Sequence, residues 1–95
     1  MKSIIQDEKQ CYFCGRTVGL EDHHIFFNAL RPIAERFGLK VWLCWYHHRD
    51  TKHGVHGNRE MDLILKRKAQ EVFEQKYSHD KYMATIGRNY LESEE

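Results

Sequence analysis

The sequence predicts an α+β fold in one small domain, with short strands in its first half and helices in its second. Residues 1–57 hold all three cysteines, six of the seven histidines and the only proline, whereas residues 58–95 hold no cysteine. Apolar residues after Asn58 recur at spacings of three and four, which is typical of amphipathic helices. Only 41% of the 95 residues are hydrophobic, so the core is expected to be thin and to need an additional source of stability.

The first half predicts the order strand, connection, strand, helix. Residues 20–27 end in β-branched and aromatic side chains and predict the first strand. A short helix is expected over residues 31–37, because a proline suits its first turn and Gly38 its end. Residues 40–43 predict the second strand, and residues 44 to about 52 predict a helix that the glycine-bearing segment 53–57 closes.

Two helices are expected in the second half. Asn58 is a good N-cap for the first of them. Ser78 would cap the second, which Gly87 interrupts. The apolar positions of the first helix fall on one stripe, formed by Met61, Leu65, Ala69, Val72, Phe73 and Tyr77.

Charge and cysteine content exclude several classes of protein. Lys and Arg number 15 against 14 Asp and Glu, and this net charge of +1 excludes a polybasic, histone-like binder. An odd number of cysteines argues against a secreted disulfide scaffold. No targeting segment is visible, and no apolar run approaches the ~20 residues that span a bilayer, so a soluble intracellular protein is expected.

A structural zinc site is predicted from two pairs of metal-ligating residues. Cys11-x-x-Cys14 and Cys44-x-x-His47 are separated by 29 residues. Zinc takes four sulfur or nitrogen ligands in a tetrahedron, and a two-residue gap lets one turn supply two of them. A redox dithiol has the same spacing as the first pair, but no βαβ pattern surrounds it and it would leave Cys44 unexplained. Bound zinc would also supply stability that a thin core lacks.

The remaining histidines indicate a second site. His23 and His24 are neighbours in a strand, where adjacent side chains point to opposite faces. They could share a site only at a strand end or a bulge, one binding a metal and the other facing a substrate. His48 follows the zinc ligand His47, and adjacent helical residues lie about 100° apart, so the zinc would fix a helix from which His48 projects elsewhere.

These motifs resemble those of the zinc-containing HNH endonucleases of the ββα-metal (His-Me finger) fold. The segments that carry the resemblance are Cys11-x-x-Cys14, Asp22-His23-His24-Ile25 and Leu43-Cys44-x-x-His47-His48. The likeness is greatest to small HNH proteins of phages and prophages. It implies a zinc-stapled ββα-metal core over residues 11–58, a helical extension over residues 59–91 and an acidic tail over residues 92–95.

The resemblance also implies roles for individual residues. His24 would be the general base, while His23 and His48 would hold one catalytic divalent ion, and Cys11, Cys14, Cys44 and His47 would bind the structural zinc. The family usually has four cysteines around zinc, so His47 is a mild departure. Its middle Asn is missing, since residues 38–42 contain none and Asn28 lies too close to the first motif. His53 or His56 would complete the site instead, and His56 is favoured.

The chemistry of phosphodiester hydrolysis suits these residue types. A neutral His24 can accept a proton from water near pH 7. One Mg²⁺ ion, or Mn²⁺, Ni²⁺ or Co²⁺, which imidazole ligands favour, would stabilise charge on the leaving oxygen. Weaker candidates for phosphate contacts are Arg49, Lys52 and Arg59.

The expected partner is DNA, with a phage terminase as a second partner that the resemblance implies, in the cytoplasm of a bacterial host. Two other interpretations stay open. One is a zinc-stabilised DNA- or protein-binding module without catalysis, which the absent Asn and the near-zero charge favour. The other is a compact fold in which all cysteines and histidines hold several zinc ions.

Overall fold

In the computed structural model, which describes residues 2–91, a two-stranded sheet carries helices around it in an α+β arrangement. The strands are β1 (Leu20–His24) and β2 (Lys40–Cys44). The helices are α1 (Arg31–Phe37), α2 (Trp45–Arg49), α3 (Arg59–Lys76) and α4 (His79–Thr85), and a 3₁₀ turn precedes α1 at Asn28–Leu30. The predicted acidic tail, residues 92–95, lies outside the described residues.

The strands pair antiparallel, and their register decides which side chains share a face. Glu21 pairs with Leu43 and His23 with Val41. Side chains alternate along a strand, so these four lie on one face of the sheet. Asp22 pairs with Trp42 and His24 with Lys40, which places this second set on the opposite face. The sheet therefore separates His23 from His24.

Both strands differ in length from the prediction. The first strand ends at His24 and not at Phe27, because the backbone bends at Ile25 and Phe26, ahead of Asn28 with its φ of 57°. Ile25 and Phe26 instead enter the core, where they are 0% and 1% exposed. The second strand continues one residue further, to Cys44.

The helix ends follow the predicted signals in most places. The Asn58 side chain accepts hydrogen bonds from the amides of Glu60 and Met61, which confirms the N-cap of α3. Ser78 caps α4 in the same way by accepting from Lys81. Gly38 ends α1 with φ 73°. Helix α2 stops at Arg49, earlier than predicted, because the Asp50 carboxylate accepts from two of the following backbone amides.

The core lies where α3 and α4 pack over the first half of the chain. Phe26 lies against the rings of Tyr82 and Tyr90, and Phe73 lies against Phe37. Gln70 is fully buried and accepts from the Tyr90 amide at 2.6 Å, which ties the last described residues to α3. No helix among residues 2–91 is both long and apolar enough to cross a bilayer. The side chains buried in this core include Ile25, Phe26, Ala34, Leu39, Val41, Leu43, Leu65, Ala69, Phe73 and Tyr82.

Candidate metal centres

The four predicted zinc ligands come together at one point. Their ligand atoms all lie within 4.8 Å of one another. His47 Nδ1 is 3.6 Å from Cys11 Sγ and 3.4 Å from Cys44 Sγ, and the sulfurs of Cys14 and Cys44 are 3.8 Å apart. Tetrahedral zinc with ordinary bond lengths requires separations of about 3.8 Å between sulfurs and about 3.5 Å between sulfur and nitrogen. The cluster is therefore compatible with a zinc site.

Local backbone structure brings these four ligands together. The Gly15 amide donates to the Cys11 carbonyl at 2.8 Å, which closes the turn holding the first two thiols. That glycine has φ 79°, a conformation that L side chains rarely adopt. The Tyr12 amide donates to the Trp42 carbonyl and ties this turn to β2. The other two ligands are the last residue of β2 and a residue one turn into α2.

The thiols at this site are not equivalent. Burial acts to raise the pKa of Cys11, but backbone hydrogen bonds from Cys44, Cys14 and Phe13 outweigh it and lower this pKa to about 6. The pKa of Cys14 is raised: a backbone hydrogen bond at Arg16 opposes the shift, but burial and the other two cysteines outweigh it. All three cysteines are free of disulfides. A thiolate at Cys11 near neutral pH is the form that binds zinc.

A second group, the histidine trio, consists of His23, His48 and His56. One ring nitrogen from each lies within 4.8 Å of the others. Ring centroids are 5.0 Å apart for His23 and His48, 5.3 Å for His23 and His56, and 4.7 Å for His48 and His56. His23 Nε2 is buried and has no hydrogen-bond partner among the described residues. A buried ring nitrogen without a hydrogen bond, in a ring that lies beside two other imidazoles, suits a bound cation.

The spacing inside the trio is that of two ligands on one metal ion. His48 Nε2 and His56 Nε2 are 3.1 Å apart. That distance fits two ligands of one metal ion, and it also fits a hydrogen bond between the two rings.

Glu21 orients His48 within the trio. One oxygen, Glu21 Oε1, lies 2.5 Å from His48 Nδ1 and 2.9 Å from Arg49 Nε. These contacts, led by the one to His48, lower the pKa of Glu21 and keep it a carboxylate. Nδ1 therefore carries the proton of a neutral His48 and donates to Glu21. The lone pair on Nε2 is left facing His56.

His56 is placed by the loop that follows α2. The amide of Val55 donates to the His47 carbonyl at 2.9 Å, and that of His56 donates to the His48 carbonyl at 3.3 Å. The two glycines of this loop leave no room for a side chain. A Cβ on Gly54 would lie 2.6 Å from the Asp50 nitrogen, and one on Gly57 would lie 2.4 Å from the Thr51 carbonyl oxygen.

Two members of the trio, His23 and His56, have lowered pKa values. Burial, reinforced by the neighbouring His48 and His56, lowers the pKa of His23 to about 3. Burial, followed by the charge of His48, also lowers the pKa of His56. Both rings therefore present lone pairs at neutral pH, as metal ligands must.

His24, the predicted base, lies outside the trio on the other face of β1. Its Nε2 is 2.8 Å from Glu35 Oε1, and Lys40 Nζ is 2.9 Å from the same oxygen. Ligand atoms of Asp22, His24 and Glu35 lie within 4.8 Å of one another. Lys40 is also 3.6 Å from Asp22, so one ammonium group already pairs with both carboxylates. His24 lines an open pocket together with Asn28 and Arg31.

The other predicted residues are distributed around the trio or away from it. Arg49 and Arg59 are exposed, the first held by Glu21 and the second 3.6 Å from Asp62. Lys52 is exposed in the loop before His56. His53 bonds to Asp50 and lies outside the trio.

Two groups near the trio were not predicted. Glu21 could have been found, because it shares a strand face with His23 two residues later. The buried pair Asp62–Lys66 could not have been found, because Lys66 belongs to the basic run of residues 66–68, and such a run is typical of a solvated helix face. Lys66 is only 5% exposed. It donates to Asp62 Oδ1 at 2.6 Å and to the Ile25 carbonyl at 3.1 Å. The second hydrogen bond connects α3 to the residue that follows β1.

Comparison of the chain with models of protein families, with curated proteins and with solved structures finds no match to any of them. Assignment of a function therefore rests on the geometry of the two centres.

Proposed function

We propose that the chain is a metal-dependent endonuclease of the HNH type that hydrolyses DNA phosphodiester bonds. The observation that carries this proposal is the histidine trio, in which one ring nitrogen from each of the three histidines lies within 4.8 Å of the others. His23 Nε2 is in addition buried without a hydrogen-bond partner among the described residues. Resemblance of the motifs around these residues to the ββα-metal core supports the same assignment.

The trio would hold one divalent cation. Three imidazoles favour Mn²⁺, Ni²⁺ or Co²⁺ over Mg²⁺. A cation bound there supplies positive charge for the scissile phosphate and the leaving 3′ oxygen. Glu21 holds the ring of His48 in place, and the loop carrying His56 holds the third ring against it.

His24 is the proposed general base. Donation from Nε2 to Glu35 at 2.8 Å fixes the ring and leaves Nδ1 able to take a proton from water. Arg49, Lys52 and Arg59 are exposed and are proposed to contact phosphates beside the scissile one. The proposed zinc, bound by three cysteines and His47, holds α2 and with it His48 in position.

The resemblance to phage and prophage proteins suggests a setting for this activity. DNA is the proposed partner, and a phage terminase is a second one, in the cytoplasm of a bacterial host. One observation favours a different candidate, a zinc-stabilised binding module without catalysis: His24 lies on the opposite face of β1 from the trio.

Nicking of supercoiled plasmid by zinc-loaded protein separates the two candidates. We expect relaxed circles to appear with added Mn²⁺ or Ni²⁺, more slowly with Mg²⁺, and not with zinc alone. His24→Ala and His48→Ala should each slow nicking by about a hundredfold or more, the scale of a lost base or metal ligand. His79→Ala, which alters an exposed histidine on α4, is the matched control and should nick normally. DNA binding without nicking in any of these ions would instead indicate the binding module.

A further inference from the structure

Two exposed aromatic side chains belong to segments that carry or contact the histidine trio: the ring of Phe27 neighbours that of His56, and Trp45 precedes His48 by three residues in α2. Phe27 is 40% exposed, and its ring centroid lies 6.2 Å from that of His56. Trp45 is 56% exposed and precedes His48 and Arg49 by three and four residues in α2. Residues at these spacings are neighbours on a helix surface.

Phe27 is held so that one side of its ring stays available. Lys66 Nζ lies 4.6 Å from the ring centroid, and this lysine is only 5% exposed, so it contacts the side that faces the protein. A cation over the ring adds a favourable electrostatic contact. The two preceding residues, Ile25 and Phe26, are in the core, which fixes the backbone from which Phe27 projects.

Tyr46, the residue after Trp45, is a further exposed aromatic side chain of α2. Tyr46 is 39% exposed and stacks on His53, with ring centroids 4.7 Å apart and planes inclined by 17°. Arg49 lies on the same side of α2 as Trp45, and Lys52 follows it. Aromatic rings with a few interleaved cations are typical of surfaces that bind single-stranded nucleic acid.

The charge of the chain favours the same type of substrate. Duplex DNA is bound mainly by neutralising many phosphates with Lys and Arg, and the net charge here is only +1. Single strands are also held by stacking of their bases on aromatic rings, which a paired and stacked duplex does not offer.

We propose that the substrate is a DNA strand with unpaired bases, which stack on Phe27 and Trp45 beside the trio. This inference deepens the proposed function and rests on it, since it names the substrate of that same site. Arg49 would contact the backbone between the two stacked bases.

The test measures binding without turnover. Binding is followed by fluorescence anisotropy, with zinc-loaded protein and no second metal. The protein is titrated into a labelled 20-nucleotide dT strand, into a duplex of equal length and into the corresponding RNA strand. We expect the DNA strand to bind about tenfold more tightly than the duplex, because each stacked base contributes to the strand alone. Equal affinity for strand and duplex, or a clear preference for RNA, would overturn the proposal.

Variants distinguish stacking from simple apolar contact. Phe27→Leu and Trp45→Leu keep apolar bulk but remove the aromatic face, and each should weaken strand binding by roughly five- to a hundredfold while duplex binding changes little. Phe27→Tyr and Trp45→Phe should bind almost normally. Ile64→Ala removes an exposed apolar side chain of α3 and is the matched control. Unchanged strand affinity in both leucine variants would contradict the proposal.

Cleavage separates this inference from the proposed function. If the chain with Mn²⁺ cuts strand and duplex at equal rates, and both leucine variants cut normally, the inference fails while the nuclease stands. If strand binding depends on both rings as expected but no divalent ion supports cleavage, the binding surface stands and the nuclease fails.

Discussion

Glu21 Oε1 lies 2.5 Å from His48 Nδ1, which joins the first strand to the helix that follows the second. The two residues are 27 positions apart in the chain. This hydrogen bond leaves His48 Nε2 as the atom that faces His56, and it makes Glu21 a residue that sets the geometry of the trio without belonging to it.

Replacing Glu21 by Gln should weaken binding of a divalent cation to the trio. The amide can no longer act as a charged acceptor for His48 Nδ1, and losing such a partner of a metal-binding histidine typically costs 10–100-fold in affinity. Calorimetric titration of zinc-loaded protein with Mn²⁺ measures the change. Glu71→Gln alters an exposed carboxylate on α3 and should bind Mn²⁺ normally. Equal affinities in both variants would show that Glu21 does not orient His48.

Removing the zinc should unfold the first half of the chain, whereas removing the second cation should not. Cys44 and Cys11 are 1% exposed, so loss of the metal would leave buried thiols without a partner. We expect Cys44→Ser to lower the melting temperature sharply and to abolish zinc binding, with a strong chelator having the same effect. His48→Ala should retain zinc and most of its thermal stability. Circular dichroism melts with parallel zinc analysis measure both, and equal destabilisation by the two substitutions would contradict the division of roles.

Acidification should destabilise the chain partly through His23. Burial, reinforced by the neighbouring rings of His48 and His56, lowers the pKa of His23 to about 3, against about 6.5 in an unfolded chain. Between these two values the unfolded chain binds a proton that the folded chain does not. The free energy of unfolding should therefore fall as the pH drops from 6.5 towards 3. Urea unfolding of zinc-loaded protein at several pH values should show a shallower decline for His23→Leu. Parallel profiles for the two proteins would mean that His23 is not buried in its neutral form.

Breaking the buried ion pair of α3 should destabilise the fold more than removing both of its members. Lys66→Met leaves the buried Asp62 with only the exposed Arg59, 3.6 Å away, as a cationic partner. Loss of one member of a buried pair typically costs about 3–5 kcal/mol, and Arg59 should offset a small part of it. The double variant Asp62→Leu with Lys66→Met should recover much of that loss, because no unpaired charge remains. Urea unfolding of the wild type, both single variants and the double variant measures the coupling. Additive losses would show that the two side chains do not act as a pair.

The sequence predicted the elements whose signals are local. Asn58 and Ser78 cap their helices as expected, and Gly38 ends α1, because each effect depends on residues a few positions away. The cluster of three cysteines and His47 was predictable for the same reason, since each pair of its members lies within one turn.

Predictions that depended on long-range packing were less complete. Periodicity does not indicate that Lys66 would be buried, because its partners are Asp62 on the same helix and a carbonyl 41 positions earlier. The place of His24 depended on where β1 ends. Because β1 is regular through His24, successive side chains point to opposite faces of the sheet. His24 therefore contacts Glu35 and lies on the face opposite to His23.

We propose above that His23, His48 and His56 together bind one divalent cation. A crystal structure of zinc-loaded protein grown with Mn²⁺, with anomalous scattering to distinguish the metals, would show this cation. The predicted result is a single manganese peak about 2.1–2.3 Å from a ring nitrogen of each of the three histidines, apart from zinc at the cysteines. Manganese bound instead by Asp22, His24 and Glu35, or absent from the trio at saturating Mn²⁺, would contradict the account.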